Sequence, residues 1–276
     1  MTNTGQVLQA NWDWRAAGNF MFGGSGGSLL LIAGFSSLPD VPHPLVAAVA
    51  MALVGLGLFL VWAEIGRPWR FLHVFFHPRT SWMTRESGVA VAFFALAITG
   101  VVLSLPVVVA VAGVMGLLFV YCQARVLKAS TGIPAWRQPA IVPLILATGL
   151  TEGAALLLLL LAAVQEAIPW LDYILLGLIV VRAVAAASYL HALARANAPE
   201  ATISVLKRTA IPFLMVGSLI PLILIVLEVS MTTEADIAII VAGILALVSG
   251  WYVKFTIVTR AAHVQGFSLG VPGPAS

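Results

Sequence analysis

Charge is what this sequence has least of: 9% of its 276 residues are Asp, Glu, Lys or Arg, where soluble domains carry about a quarter. With 61% of the chain hydrophobic, it reads as an integral membrane protein. Cysteine is nearly absent. The single Cys122 forbids an internal disulfide and cannot supply a four-ligand iron–sulfur or zinc site, so any metal cluster is expected to belong to a partner. Histidine is scarce as well, and only His191 lies on a helical run, near its end. Buried b-type haem needs pairs of histidines on facing helices, so no haem is expected. His73 and His77 lie four apart in a basic loop, where imidazoles more often face headgroups than a metal. No nucleophile–base–orienter set emerges, so no catalytic residue is assigned, and no nucleic-acid partner is expected. No basic stretch precedes the first apolar run and no small-residue cleavage pattern is evident, so the first helix is expected to be retained.

What the chain has in abundance is apolar runs long enough to cross a bilayer, which takes about 20 residues. Eight occur, at roughly 19 to 38, 44 to 63, 86 to 105, 107 to 127, 141 to 164, 168 to 192, 209 to 228 and 236 to 258. The slimmest break is Ser104-Leu105-Pro106, and a continuous helix there would give seven spans. Charge favours eight. That count puts Arg15, the arginines of the second connection, Arg125, Lys128, Arg137, Arg195, Lys207, Arg208, Lys254 and Arg260 on one face, 13 of the 14 Lys and Arg, while the opposite face has only acids. Such a split follows the positive-inside rule. The expected fold is therefore all-α, a polytopic membrane protein with eight transmembrane helices and both termini cytoplasmic, in a prokaryotic inner membrane. Residues 1–18 read as an interfacial segment, 19–260 as the transmembrane domain and 261–276 as a flexible tail.

The densest polar stretch runs from Trp62 to Glu86 and holds Glu64, Arg67, Arg70, Arg79, Arg85 and Glu86. Glu64 ends the second helix, where the dipole does not favour an acid; it either pairs with Arg67 or handles protons at the mouth of a site. Thr84 looks like an N-cap, which would place Glu86 in a first turn that favours a carboxylate. The glycines and serines of Gly23 to Ser28 suit close approach of another helix or a flat ring. Pro134, Trp136 and Pro139 make a stiff amphipathic loop suited to lie against something. Two charges lie deep: Glu152 and Arg182 are each fifteen residues from the turn near Ala167. At a rise of about 1.5 Å per residue they share a depth and are expected to pair, as a structural lock or as part of a proton route. Asn19, Glu64, Arg67, Glu86 and Tyr121, from helix ends far apart in sequence, gather at the cytoplasmic rim. A quinone, with an apolar tail and two carbonyls to be hydrogen-bonded and protonated, suits such a pocket. The rival is a secondary transporter with a midplane site at Glu152 and Arg182.

The run Glu64-Ile-Gly-Arg67-Pro68, then Arg79-Thr-Ser81-Trp82 and Arg85-Glu86 at a helix start, resembles the membrane-anchor subunits of dimethyl-sulfoxide-reductase-type molybdoenzymes, the DmsC/NrfD type. The glycine-rich first helix and the Gln123 to Trp136 region look similar to the cytoplasm-facing branch that oxidises sulfite or aromatic acyl-CoA esters. The resemblance implies a haem-free, metal-free subunit that exchanges electrons between a quinone pool, ubiquinone or menaquinone, and an iron–sulfur subunit serving a molybdenum or tungsten bis-pterin catalytic subunit. It ties the acid at Glu86 to quinol binding. It also implies that Glu64 stands where some relatives have histidine, and that Asn19 and Tyr121 are donors to the ring carbonyls.

Overall fold

The computed structural model describes residues 7–65, 68–77, 79–168, 170–231 and 236–264. Eight helices long and apolar enough to cross a membrane lie within these residues: α1 (Trp14–Ser36), α2 (Pro44–Glu64), α3 (Trp82–Val102), α4 (Pro106–Ala129), α5 (Ile141–Ala163), α6 (Leu171–Arg195), α7 (Glu200–Val229) and α8 (Ile237–Arg260). The slim break between the third and fourth runs is a real reversal. Ser104 takes a left-handed φ of 51°, Leu105 N–H closes back on Gly100 O at 2.7 Å, and Pro106, whose ring forbids helix continuation but suits a first turn, restarts the chain as α4. The expected termini of 1–18 and 261–276 are joined where they are described: β1 (Val7–Leu8) pairs antiparallel with β2 (His263–Val264). Most of the 261–276 tail lies outside the described residues.

Burial does not follow hydrophobicity. α1, the least apolar span, is 78% buried within the protein, whereas the much more apolar α2 is 28% buried. Lipid accepts Leu and Val as readily as a protein interior does, so what earns the central position is small size. A Cβ on Gly27 would lie 2.7 Å from the carbonyl oxygen of Gly116 on α4, so the α1 and α4 backbones touch. The glycine and serine run thus packs helices. α1 also contacts α2 and α5, and α5 in turn packs on α6 and α8.

Three spans contain a π turn: Asn19–Gly23 in α1, Met215–Leu219 in α7 and Thr256–Arg260 at the end of α8. A π turn inserts a residue into the i→i−4 ladder and frees a backbone carbonyl for other donors. In α7 it follows Pro212, which lacks the N–H that the ladder needs. α7 also begins earlier than its apolar run, because the amphipathic turns from Glu200 through Lys207 and Arg208 are helical.

Candidate functional site

α1, α2 and α3 bring their ends together beside the β1–β2 ribbon, and between them lies a cavity of about 770 Å³. α2 lends Leu58, Phe59, Val61 and Trp62 to its wall, α3 lends Met83, Ala90, Val91 and Phe94, and the entry to α1 lends Trp12, Ala16 and Phe20. A 3₁₀ helix, Pro68–Phe75, contributes Val74 and Phe75. Polar groups are few among these walls: Asn11, Asn19, Glu64, Glu86 and Ser87.

Asn19, Glu64 and Glu86, expected at one rim, do meet there. Asn19 sits in the π turn of α1, and its Nδ2 donates to Glu86 Oε1 at 2.9 Å, both side chains being buried. Asn19 Oδ1, equally buried, has no protein partner. The N-cap of α3 is Ser81, not Thr84: Ser81 Oγ accepts from Thr84 N–H at 3.3 Å. Glu86 therefore lies beyond the first turn, and capping does not account for it. Glu64 is half-buried; its Oε1 accepts from Asp13 N–H at 3.4 Å, and Arg15 Nη1 donates to the last-turn carbonyl of Ala63 at 2.9 Å. The first turn of α1 thereby caps the C-terminus of α2. Asp13 is itself the N-cap of α1 and pairs with Arg15 at 2.9 Å; the guanidinium's hydrogen bond holds its carboxyl below the ordinary range. Arg67, expected to pair with Glu64, lies outside the described residues.

Tyr121 does not line the cavity. Its hydroxyl accepts from Arg125 Nη1 at 2.5 Å and its ring meets Trp82 edge-on, while Arg85 and Arg125 lie 4.2 and 4.1 Å from the Trp82 ring centroid. The group from α4 that does reach this corner is Gln123, fully buried. Its Nε2 donates to Asn19 O at 2.7 Å, and its amide also faces Glu86. An amide two residues from the tyrosine, on a helix that also carries Arg125 and Lys128, was the available signal. Trp12 stacks on Trp136 with centroids 4.7 Å apart, and Trp136 Nε1 donates to Ile257 O. The stiff Pro134–Arg137 segment thus lies on the protein's own terminal segments.

The expected Glu152–Arg182 pair does not form. Glu152 Oε2 takes Lys254 Nζ at 2.7 Å, both side chains fully buried, together with Ser25 Oγ at 2.7 Å. Arg182 instead donates through Nη1 to Ala246 O at 2.7 Å and through Nη2 to Gly217 O, with Phe213 packed 4.8 Å from its guanidinium. The Gly217 carbonyl belongs to the π turn of α7, a partner that equal depth along two helices could not reveal. Lys254, read as part of the basic face, is buried inside the domain. Among the described residues no group of three or more His, Cys, Asp or Glu is placed to hold a metal ion.

Fold and cavity together define a class: a polytopic helical membrane protein with a large apolar chamber near one end of the bundle and a few convergent polar groups in its wall. The polysulfide reductase family, of NrfD type, matches residues 3–268, and the chain belongs to that family, the quinone-interacting membrane-anchor subunits of oxidoreductase complexes. No curated protein matches the chain.

Proposed function

We propose that this subunit binds quinone in the chamber between α1, α2 and α3 and exchanges electrons between it and a docked iron–sulfur subunit, which serves a molybdenum or tungsten bis-pterin catalytic subunit. The observation that carries the reading is the Asn19–Glu86 hydrogen bond in the wall of a cavity of about 770 Å³. The residues fit the group. Apolar walls suit a ring and the start of an isoprenoid tail, and the partnerless Asn19 Oδ1 is an acceptor suited to a hydroxyl of the reduced ring. Quinone, when bound, supplies two-electron, two-proton redox chemistry.

The chain's own part is proton handling and positioning. Asn19 fixes the Glu86 carboxyl, which takes or gives a proton at the ring. Glu64, half-buried in the same wall, passes protons between the chamber and the surface. Trp62, Phe75 and Phe94 keep bulk water from the ring. Tyr121, held by Arg125, acts on the surface that faces the partner rather than on quinone. With both termini and the basic loops on the cytoplasmic side, the partners dock there, over the chamber, and the branch that oxidises sulfite or aromatic acyl-CoA esters is the one we favour. A transporter with a midplane site is less well supported, because Glu152 is engaged by Lys254 and Arg182 by carbonyls, and the sizeable cavity lies elsewhere.

The test is co-purification followed by quinol chemistry. The subunit should be isolated with iron–sulfur and molybdenum or tungsten subunits. Glu86→Gln should leave that assembly intact and abolish reduction of a quinone analogue; a Glu86→Gln complex that turns over normally refutes the assignment.

A further inference from the structure

Where the start of α3 meets the end of α4, the structure builds a second feature, outside the chamber. Trp82, the first residue of α3, has the guanidinium carbon of Arg85 4.2 Å and that of Arg125 4.1 Å from its ring centroid. Arg85 lies one turn further along α3, and Arg125 belongs to the last turns of α4. Each cation is attracted to the π system, and each is fastened besides. Arg85 Nη2 donates to Arg79 O at 2.8 Å, and Arg125 Nη1 donates to Tyr121 Oη at 2.5 Å. Guanidinium groups keep their protons, so two permanent positive charges are held against one indole. The N-terminal dipole of α3 adds to them.

The protein brings Arg125 no acid. Among the described residues the ion pairs are Asp13–Arg15 and Glu152–Lys254, and Glu86, next to Arg85 in sequence, is turned inward onto Asn19. Cations gather instead: Lys128 follows Arg125 by one turn, half-buried, and Arg79 is exposed. The direction in which the cluster faces comes from α4. Its buried positions include Val109, Ala112, Phe119 and Gln123, while Val111 and Leu118 are 42% and 40% exposed. Residues seven apart lie nearly one above another on a helix. Val111, Leu118 and Arg125 therefore form one outward stripe, apolar along its length and cationic at its end. Because α4 is long and apolar enough to span a membrane, that stripe meets acyl chains first and headgroups where Arg125 stands.

We propose that the Trp82–Arg85–Arg125 cluster binds the headgroup of an anionic phospholipid, with an acyl chain lying on Val111 and Leu118. The phosphate is the chemistry recognised. Its oxygens accept from planar N–H forks that the indole and Tyr121 hold in place, and basic pockets between membrane helices suit such headgroups. A lipid seated there fastens the start of α3 to the end of α4, since its headgroup meets a guanidinium from each. The site stands apart from the chamber and needs no quinone. Continuity with the apolar stripe favours a lipid over an acidic side chain of a docked subunit, which would approach from water.

The test is native mass spectrometry of the delipidated full-length protein in detergent. Phosphatidylglycerol is titrated against phosphatidylcholine of the same acyl chains, and glycerol 3-phosphate serves as the headgroup without a tail. Phosphatidylglycerol should bind at least ~tenfold more tightly than phosphatidylcholine, and glycerol 3-phosphate should not displace it. Arg125→Gln should bring the two lipids within about twofold of each other, while Arg208→Gln, which removes an exposed arginine of α7, should leave the preference intact. Arg125→Lys keeps the charge but loses the fork, and should weaken phosphatidylglycerol about three- to tenfold; it decides the matter if Arg125→Gln fails to fold. Equal binding of the two lipids by the wild type overturns the site, and so does unweakened binding by Arg125→Lys. Equal losses in Arg125→Gln and Arg208→Gln would show diffuse charge, and full displacement by glycerol 3-phosphate a site for free anions; either overturns the proposal. An acidic partner as occupant would show as Arg125→Gln shedding a co-purified subunit with the lipid preference unchanged, which overturns it as well.

Discussion

Removing one member of the Glu152–Lys254 pair should cost far more than removing both. At 2.7 Å, and with an effective dielectric constant of about 20, the attraction is ~6 kcal/mol before desolvation is counted. Burial of both ions offsets much of that, so the pair's net worth is small, while an orphaned partner retains its full desolvation cost. Glu152→Gln leaves Lys254 and Arg182 facing each other with no anion and should destabilise the domain by ~3–5 kcal/mol. Lys254→Met should cost less, since Ser25 Oγ still donates to the carboxylate. The double variant should lie nearer the wild type than Glu152→Gln does, a coupling of at least ~2 kcal/mol. The control is the same cycle with Arg182→Met, whose guanidinium bonds carbonyls rather than Glu152; its coupling to Glu152 should stay below ~1 kcal/mol. Reversible unfolding in mixed lipid–detergent micelles, titrated with dodecyl sulfate, measures all six proteins. Additive costs at Glu152 and Lys254, or a larger coupling with Arg182, would refute the assigned partnership.

Other outcomes follow from the same geometry. Asn19→Leu removes the amide that holds a buried carboxyl, a loss of ~1.5–3 kcal/mol, and should weaken quinol-analogue binding about ten- to hundredfold in a fluorescence titration. Tyr121→Phe should leave that affinity within about twofold, because the hydroxyl serves Arg125 and not the chamber. Gly27→Ala drives a methyl into the Gly116 backbone, which cannot yield as a flexible side chain would, and should cost ~1–3 kcal/mol or more by the same micelle unfolding. Asp13, held below its ordinary carboxyl range chiefly by the Arg15 hydrogen bond, contributes stability that is full above that range and fades as pH falls through the depressed value. Asp13→Asn should flatten the acid limb of the stability curve, by well under ~1 kcal/mol since the pair is largely exposed.

Much of the fold was legible because lipid imposes a length. Runs of some twenty apolar residues mark the spans, and Pro106 marks even the tightest turn. The α7 boundary was not, since Lys207 and Arg208 read as loop while their turns continue the helix outside the apolar stretch. Of the site, Asn19, Glu64 and Glu86 stood out as polar groups at helix ends that converge in space. Gln123 was hidden by being one amide on a helix that also offered a tyrosine. Lys254 was misassigned for an instructive reason: a lysine in the last turns of a span satisfies the positive-inside rule, and only packing tells whether it reaches outward or turns in. Arg182 found its partner in a carbonyl released by a π turn, a donor–acceptor match written in backbone geometry and not in residue types.

The short ribbon between Val7–Leu8 and His263–Val264 has a bearing on biogenesis. Its strands can meet only if an even number of segments separates them across the bilayer, so one helix that failed to insert would strand the two halves in opposite compartments. The ribbon is therefore a parity lock, one that closes only after the eighth insertion.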